Sequence, residues 1–471
     1  MATTGTVTRK RVLHPHSVFD EPQLRALFAE HSVNPHHINS IYRHIIQNNA
    51  ESFDAIPELP IRILPLLKAN FVFSTSTIAS RKDASDNSTT KLVVELQDGQ
   101  QVETVIMRYG EVELNSFPKD ERERRIKELE KEGKQFKSNK RATVCISSQV
   151  GCAMGCTFCA TGTMGLLSNL TTGEIIEQLV HANKIEKIRN VVFMGMGEPL
   201  DNYDAVLGAI QAMINTARFC LSPSRITVST VGVAPRITSL MKDVPQIGLA
   251  LSLHAPTQEL RSEIVPSSKS FSLTKILQSV FAFIENQNKL TNSNVRHILV
   301  EYVLIQDINS SSEVAHQLGQ LFADRVAKKD ILVNIIPYNP TDVIANYQRP
   351  TPETLKNFVE IVRSYGVYTL IRQELGQDIA SACGQLVVKG PKKVGECAGD
   401  VEDLGKKAGG SGKGTPVVKR ANKKDSSAVA VTASENADTT PDALSSPWVI
   451  GGIAVGLGLF ALGAVRLLKK K

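Results

Sequence analysis

Three of the seven cysteines in this 471-residue chain, Cys152, Cys156 and Cys159, fall within eight positions of the stretch "GCAMGCTFCATG". A fourth, Cys145, lies seven residues upstream. The N-terminal "MATTGTVTRKRVLHPHSV" has no apolar h-region, so such sparse, local cysteine is not the framework of a secreted disulfide scaffold. In a reducing compartment, clustered thiols bind metal or carry out redox chemistry. Two metal readings fit. With Cys145 as fourth ligand the set closes a structural zinc site, whereas three thiolates alone suit a [4Fe–4S] cluster with one iron left open for a further molecule. The cluster follows the first strand of a βα series, where catalytic residues gather, and zinc-ribbon cysteines usually come as two separated pairs.

The elements that must position these thiols read as α/β. From 142 to about 388, the apolar runs "ATVCISS", "NVVFMGMG", "RITVSTVG", "IGLALSLH", "ILVEYVLI" and "ILVNIIPYN" alternate with helical patterns such as 173–188 and 272–287. The first helix opens with the capping box Thr171-x-x-Glu174. Strands that are apolar almost throughout predict a parallel sheet covered by helices, either a partial (βα)6 barrel or a doubly wound sheet. Polar residues gather where strands end: Cys152, Glu198, Ser229, Ser252, His254 and Asn339. That is the active-site face of a parallel barrel.

Upstream, "EPQLRALFAEH", "NPHHINSIYRHIIQ" and "LPIRILPLLKANF" predict a small helical accessory domain over residues 1–90. The stretch "KLVVELQDGQQVETVIMRYG" predicts a hairpin about Asp98-Gly99, opening a 91–141 region that also holds a charged insertion. The α/β core would then span 142–388, a disordered linker 389–446, a transmembrane helix 447–468 and a basic tail 469–471. The membrane reading rests on "WVIGGIAVGLGLFALGAV", eighteen residues without a charge, followed by Arg466 and three lysines. Such a tail predicts post-translational anchoring with the catalytic domain in the cytosol, on the mitochondrial outer membrane or peroxisome rather than the endoplasmic reticulum. Import into an organelle is the alternative. The net charge of +7 is uneven: 119–141, 389–424 and the last six residues carry +4, +6 and +4, leaving −7 on the rest. A grip on nucleic acid must therefore use these appendages or a local groove.

Eight ordered segments resemble the RlmN/Cfr family of radical S-adenosylmethionine (SAM) RNA adenosine methyltransferases: "RATVCISSQVGCAMGCTFCATGTMG", "VVFMGMGEPLDNYDAV", "RITVSTVGV", "LALSLHAP", "EIVPSSKSF", "EYVLIQDIN", "NIIPYNP" and "GQDIASACGQL". The resemblance covers about residues 17–388 and implies a partial radical-SAM barrel. It implies that Cys152, Cys156 and Cys159 hold a [4Fe–4S] cluster, and that Gly197, Glu198, Ser229, Ser252, Leu253, His254 and Asn339 contact SAM. It further implies that Cys383 takes a methyl group from one SAM and that a second SAM, cleaved reductively, generates the radical that transfers it to adenine. Cys145 would then resolve the protein–RNA adduct by forming a disulfide with Cys383, and Glu103 would accept the ring proton. An electron donor, a disulfide reductant and rRNA or tRNA would be partners of a monomeric catalytic domain.

On pattern alone Cys145 is a core residue of its strand, Cys383 a small structural thiol and Glu103 a solvent-facing hairpin residue. Cys220 and Cys397 match no role. Carbon 2 of adenine is the expected target. Carbon 8, a different radical-SAM substrate, and a non-catalytic zinc-stabilised RNA-binding adaptor are the alternatives.

Overall fold

The computed structural model describes residues 11–109, 141–291, 297–341, 343, 345–372, 375–381 and 384–386. The insertion at 114–140, Cys383, Cys397, the linker and the 447–468 stretch lie outside them. Among the described residues, no helix is long and apolar enough to cross a membrane. The chain divides into two units, Met1–Val394 and Gly395–Lys471, and everything below concerns the first.

Ten strands form one sheet. Two short strands, β1 (His16–Ser17) and β2 (Phe71–Val72), pair apart from it. In the main sheet β3 (Thr77–Asp83), β4 (Thr89–Glu95), β5 (Gln101–Tyr109) and β6 (Arg141–Cys145) run antiparallel. From β6 onward all pairing is parallel, through β9 (Ile188–Phe193), β10 (Ile226–Thr230), β11 (Gly248–Ser252), β12 (Ile298–Leu304), β13 (Ile331–Pro337) and β14 (Thr369–Ile371). The remaining two, β7 (Gln149–Gly151) and β8 (Leu166–Asn169), make a separate antiparallel pair.

Parallel neighbours follow chain order with no reversal, as in a barrel and unlike a doubly wound sheet, whose order switches direction. All six expected parallel strands are present, with β14 as a short seventh. Their outward residues, among them Val191, Val228, Leu249, Leu251 and Val333, are essentially inaccessible under the helices α5 (Thr172–Ile185), α6 (Tyr203–Ile214), α7 (Ala234–Asp243), α9 (Leu273–Thr291), α10 (Ser312–Ala323) and α11 (Pro352–Ser364). Earlier come α1 (Glu21–Glu30), α2 (His36–Asn48), α3 (Leu64–Asn70) and α4 (Ala160–Thr163), and α8 (Gln258–Ile264) follows β11. The capping box of α5 forms as expected: Glu174 N donates to Thr171 Oγ1 at 3.2 Å and Thr171 N to Glu174 Oε2 at 2.9 Å.

Residues 77–83 differ from the helical expectation for 1–90. They form an edge strand whose residues are all exposed, so no apolar alternation marks it in the sequence. The N-terminal helices share their core with the barrel through Phe28, Ile41 and Tyr42. Arg218, from the loop after α6, pairs with Glu21 of α1 and stacks 4.6 Å from the Tyr42 ring centroid.

Candidate active site

The cysteine loop is held at both ends by the β7–β8 pair, and Cys152 N donates to Gly165 O at 2.9 Å. Gly151, at φ +75°, lets the two strands approach so closely that a Cβ there would lie 1.9 Å from Gly165 O. Gly162 similarly admits the turn of Cys156, whose backbone O would lie 2.9 Å from an added Cβ. Within the loop, Gly162 N donates to Cys159 O at 3.0 Å, and the Thr161 hydroxyl donates to Leu386 O.

All three thiols border one open cavity. Cys145, the fourth ligand that a closed zinc site would need, is not among the residues that line it. A closed structural zinc site needs four protein ligands, whereas a four-iron cluster held by three thiolates leaves one iron open. The residues therefore fit the cluster. Burial, reinforced by mutual repulsion, pushes Cys152 up to about 12 and Cys156 well above the ordinary thiol range, and burial raises Cys159. Such thiols keep their protons until a cation displaces them, which couples deprotonation to metal binding.

Around the rest of the cavity stand residues from successive strand ends, among them Gly197, Glu198, Ser229, Ser252, His254, Glu301 and Arg372. Gly197, at φ +96°, passes against Gln149, whose Cβ would lie 2.5 Å from an added Cβ. Glu198 accepts from Leu200 N at 3.0 Å and from Val231 N at 2.8 Å. Burial outweighs these bonds and raises its carboxyl to about 7. Ser229 Oγ and Ser252 Oγ are 3.2 Å apart. His254 adopts φ +62°, fixed by Asn309 Nδ2 donating to its carbonyl at 2.8 Å. Its Nδ1 accepts from Val303 N at 3.1 Å, leaving the proton on Nε2, and burial, then the Arg261 charge, push it down to about 3. It is a neutral imidazole at physiological pH. Leu253 and Asn339 are buried and are not among the lining residues.

Register places the two other described catalytic candidates. Cys145 pairs with Val192, Val192 with Thr227, and Ser229 two residues on pairs with Ala250; Ser252 then pairs with Glu301 and Glu301 with Asn334. Paired side chains share a face, and alternate residues of a strand share it too. Cys145 is therefore on the inward face that also carries Ser229 and Ser252, and it is buried in the hydrophobic core as its pattern predicts. On the antiparallel side Val105 pairs with Cys145 and Lys91 with Val105, so Glu103, two residues from Val105, is on that face as well. Glu103 is 3% exposed, not solvent-facing, and its Oε1 lies 3.0 Å from Lys91 Nζ. Lys91 also donates to Ala380 O at 3.0 Å, three residues before Cys383. Cys220 is exposed, away from this face.

A profile of the Radical SAM superfamily matches residues 146–292. The chain is 37% identical over 341 residues to the ribosomal RNA large subunit methyltransferase N of Nitrosopumilus maritimus, covering 70% of this chain and 86% of that one. The chain belongs to the RlmN family. Another member, the dual-specificity RNA methyltransferase RlmN 1 of Myxococcus xanthus, is 36% identical over 370 residues, 78% of this chain and 92% of its own. A crystal structure of a radical SAM methyltransferase from Sphaerobacter thermophilus, 32% identical, superposes with a TM-score of 0.64 over 80% of this chain and 99% of that one. RlmN-family enzymes use a [4Fe–4S] cluster and SAM.

The sequence reading did not single out Lys91, Arg261, Glu301 or Arg372. Glu301 Oε1 accepts from Asn334 Nδ2 at 3.0 Å, and its Oε2 lies 3.5 Å from Arg372 Nη1. Arg261, in "QELRSEI", reads as an ordinary surface helix residue and is instead fully buried. Only the hairpin alternation carried a signal for any of the four, placing Lys91 on the face of Glu103.

Proposed function

We infer that this protein methylates adenine in RNA, at carbon 2, through a methylated cysteine. The observation that supports this reading is the shared inner face of Lys91, Glu103, Cys145, Ser229 and Ser252, the last two of which line the cavity of the three thiols. Cys152, Cys156 and Cys159 would hold the cluster, and Glu198, Ser229, Ser252 and His254 would orient SAM, with Gly197, Leu253 and Asn339 shaping the surrounding backbone. Cluster and SAM together supply the carbon-radical chemistry that an electron-poor amidine carbon requires.

In this reading Cys383 carries the methyl group as a thioether and becomes bonded through that carbon to adenine. Glu103 takes the proton from the substituted ring carbon, and Lys91 holds its carboxylate in place. The Cys145 thiolate attacks Cys383 Sγ, forming a disulfide and breaking the bond from sulfur to the methylene carbon, which leaves with the electron pair delocalised into the adenine ring and takes up a proton to become the methyl group. A thiol reductant restores both cysteines, and a one-electron donor serves the cluster. Whether rRNA, tRNA or both are substrates is read from the modified RNA.

The test is Cys145→Ala, reconstituted anaerobically and incubated with SAM, reductant and RNA. A covalent protein–RNA conjugate should accumulate on a denaturing gel, with wild-type protein yielding 2-methyladenosine. Normal turnover by Cys145→Ala would overturn the assignment, and 8-methyladenosine would move the target carbon. We also propose that 447–468 anchors the protein in a membrane with the catalytic unit facing the cytosol. Full-length protein should stay in the carbonate-washed membrane pellet and a chain ending at Ser446 should not. Recovery of intact protein in the soluble fraction would refute the anchor.

A further inference from the structure

Arg261 projects from α8 and is entirely buried. Its Nε donates to Leu253 O at 3.0 Å, and its Nη2 to Ser252 O at 3.2 Å and to Val231 O. The guanidinium thus closes off backbone carbonyls at the cavity ends of β10 and β11. Its other terminal nitrogen, Nη1, is buried without a hydrogen-bond partner. A buried polar group left unsatisfied is costly, and more so when it carries charge.

The field of this cation reaches Cys156 and Glu198. The contact with the cysteine loop is also structural: Thr157 N and Oγ1 donate to Ile264 O at 3.0 and 3.2 Å, joining the loop to the end of α8, and Leu260 and Cys156 pack against the same small apolar cluster, which includes Phe158. Burial lowers Arg261 only to about 10, so it stays charged near neutrality. The rigid fork of arginine can satisfy several carbonyls and still direct a spare N–H elsewhere, which a lysine cannot.

We propose that Arg261 is the fixed counter-charge of the cluster site, its unpaired Nη1–H donating to the sulfur of Cys156 once that sulfur is a metal-bound thiolate. The inference rests on the reading of Cys152, Cys156 and Cys159 as ligands of a [4Fe–4S] cluster. Hydrogen bonds to cluster sulfurs and nearby positive charge favour the reduced state, and so raise the reduction potential. Arg261 acts on electron entry and is a positioning residue, not a group that touches RNA.

The deciding experiment uses the native sequence. Wild-type protein labelled with ¹⁵N in its arginine guanidinium groups is reconstituted anaerobically, reduced without SAM and examined by pulsed EPR for nitrogen coupling to the cluster. Coupling should be present without SAM and disappear in Arg261→Lys. In a redox titration followed by EPR, Arg261→Gln should shift the midpoint to more negative potential, and Arg261→Lys, which keeps the charge, should recover most of the shift. A normal cluster with no arginine coupling overturns the proposal, as does coupling that appears only after SAM is added, which would assign Nη1 to the SAM carboxylate. An unchanged midpoint in Arg261→Gln overturns it too. Failure of wild-type protein to take up iron would instead refute the cluster reading itself.

Discussion

Lys91→Met tests whether the hairpin belongs to the catalytic machinery. The Lys91 and Glu103 side chains are only 11% and 4% exposed and lie 3.0 Å apart, so their attraction is little screened by solvent. Methionine fills a similar volume but takes the Lys91 cation away from a buried carboxylate, a loss of up to about 3–5 kcal/mol. The hydrogen bond to Ala380 O adds little, because Ala380 is exposed and its carbonyl can turn to water. For a unit of nearly 400 residues each kcal/mol moves the midpoint by about 1.2 °C, so metal-free Lys91→Met should melt roughly 4–6 °C below wild type. Removing the charge as well, in Lys91→Met/Glu103→Gln, should restore most of that, with a coupling of about 2–3 kcal/mol in the double-mutant cycle. Urea unfolding of the four proteins supplies the cycle. If Lys91→Met costs under about 1 kcal/mol, or the double variant is no more stable than Lys91→Met, the pair is not the buried ion pair argued above.

Three other outcomes follow from the geometry. Gly151→Ala should separate β7 from β8 and abolish iron uptake, since its Cβ would meet Gly165 O at 1.9 Å, while far-UV circular dichroism stays near wild type. Glu103→Gln should slow product release by roughly 10²–10⁴-fold, as expected for loss of a proton acceptor, with the protein–RNA conjugate building up in quenched time courses. Glu198 should make metal-free protein less stable as pH rises. Its carboxyl is raised from 4.5 to about 7, so between those values the folded state holds a proton that the unfolded chain has lost. Stability from this group is complete below about pH 4.5 and declines by about 3 kcal/mol by pH 7, at 1.36 kcal/mol per pH unit. Urea midpoints from pH 5 to 8 should show this slope in wild type and a flatter one in Glu198→Gln.

The parallel strands were legible because burial on both faces leaves long apolar runs that need no partner to be recognised. The edge strand 77–83 was not, because its residues "TIASRKD" face solvent and carry no alternation. Cys145 and Glu103 show a different limit. Alternation divides a strand into two faces, but which face becomes the interior depends on which strands pair and in what register, information spread from Lys91 to Asn334. Arg261 was hidden for a related reason: three of the groups it bonds come from two other strand ends, at Val231, Ser252 and Leu253. The zinc alternative lost its fourth ligand because Cys145 does not line the cavity of the other three thiols, a matter of placement that sequence spacing does not fix.

The junction of β5 and β6 has an engineering consequence. Tyr109 and Arg141 are cross-strand partners, with the Arg141 guanidinium 5.1 Å from the Tyr109 ring centroid, although residues 110–140 lie between them in the chain. The strand pair itself brings the two ends together. The closure entropy of whatever joins them rises only logarithmically, by about 0.6 kcal/mol for each doubling of length. The junction also lies at the N-terminal end of β6, whereas the SAM cavity opens at the C-terminal strand ends. It is therefore a socket for foreign sequence: a fluorescent reporter or an RNA-tethering module could replace 110–140 and ride on the enzyme without crowding the chemistry at the opposite rim.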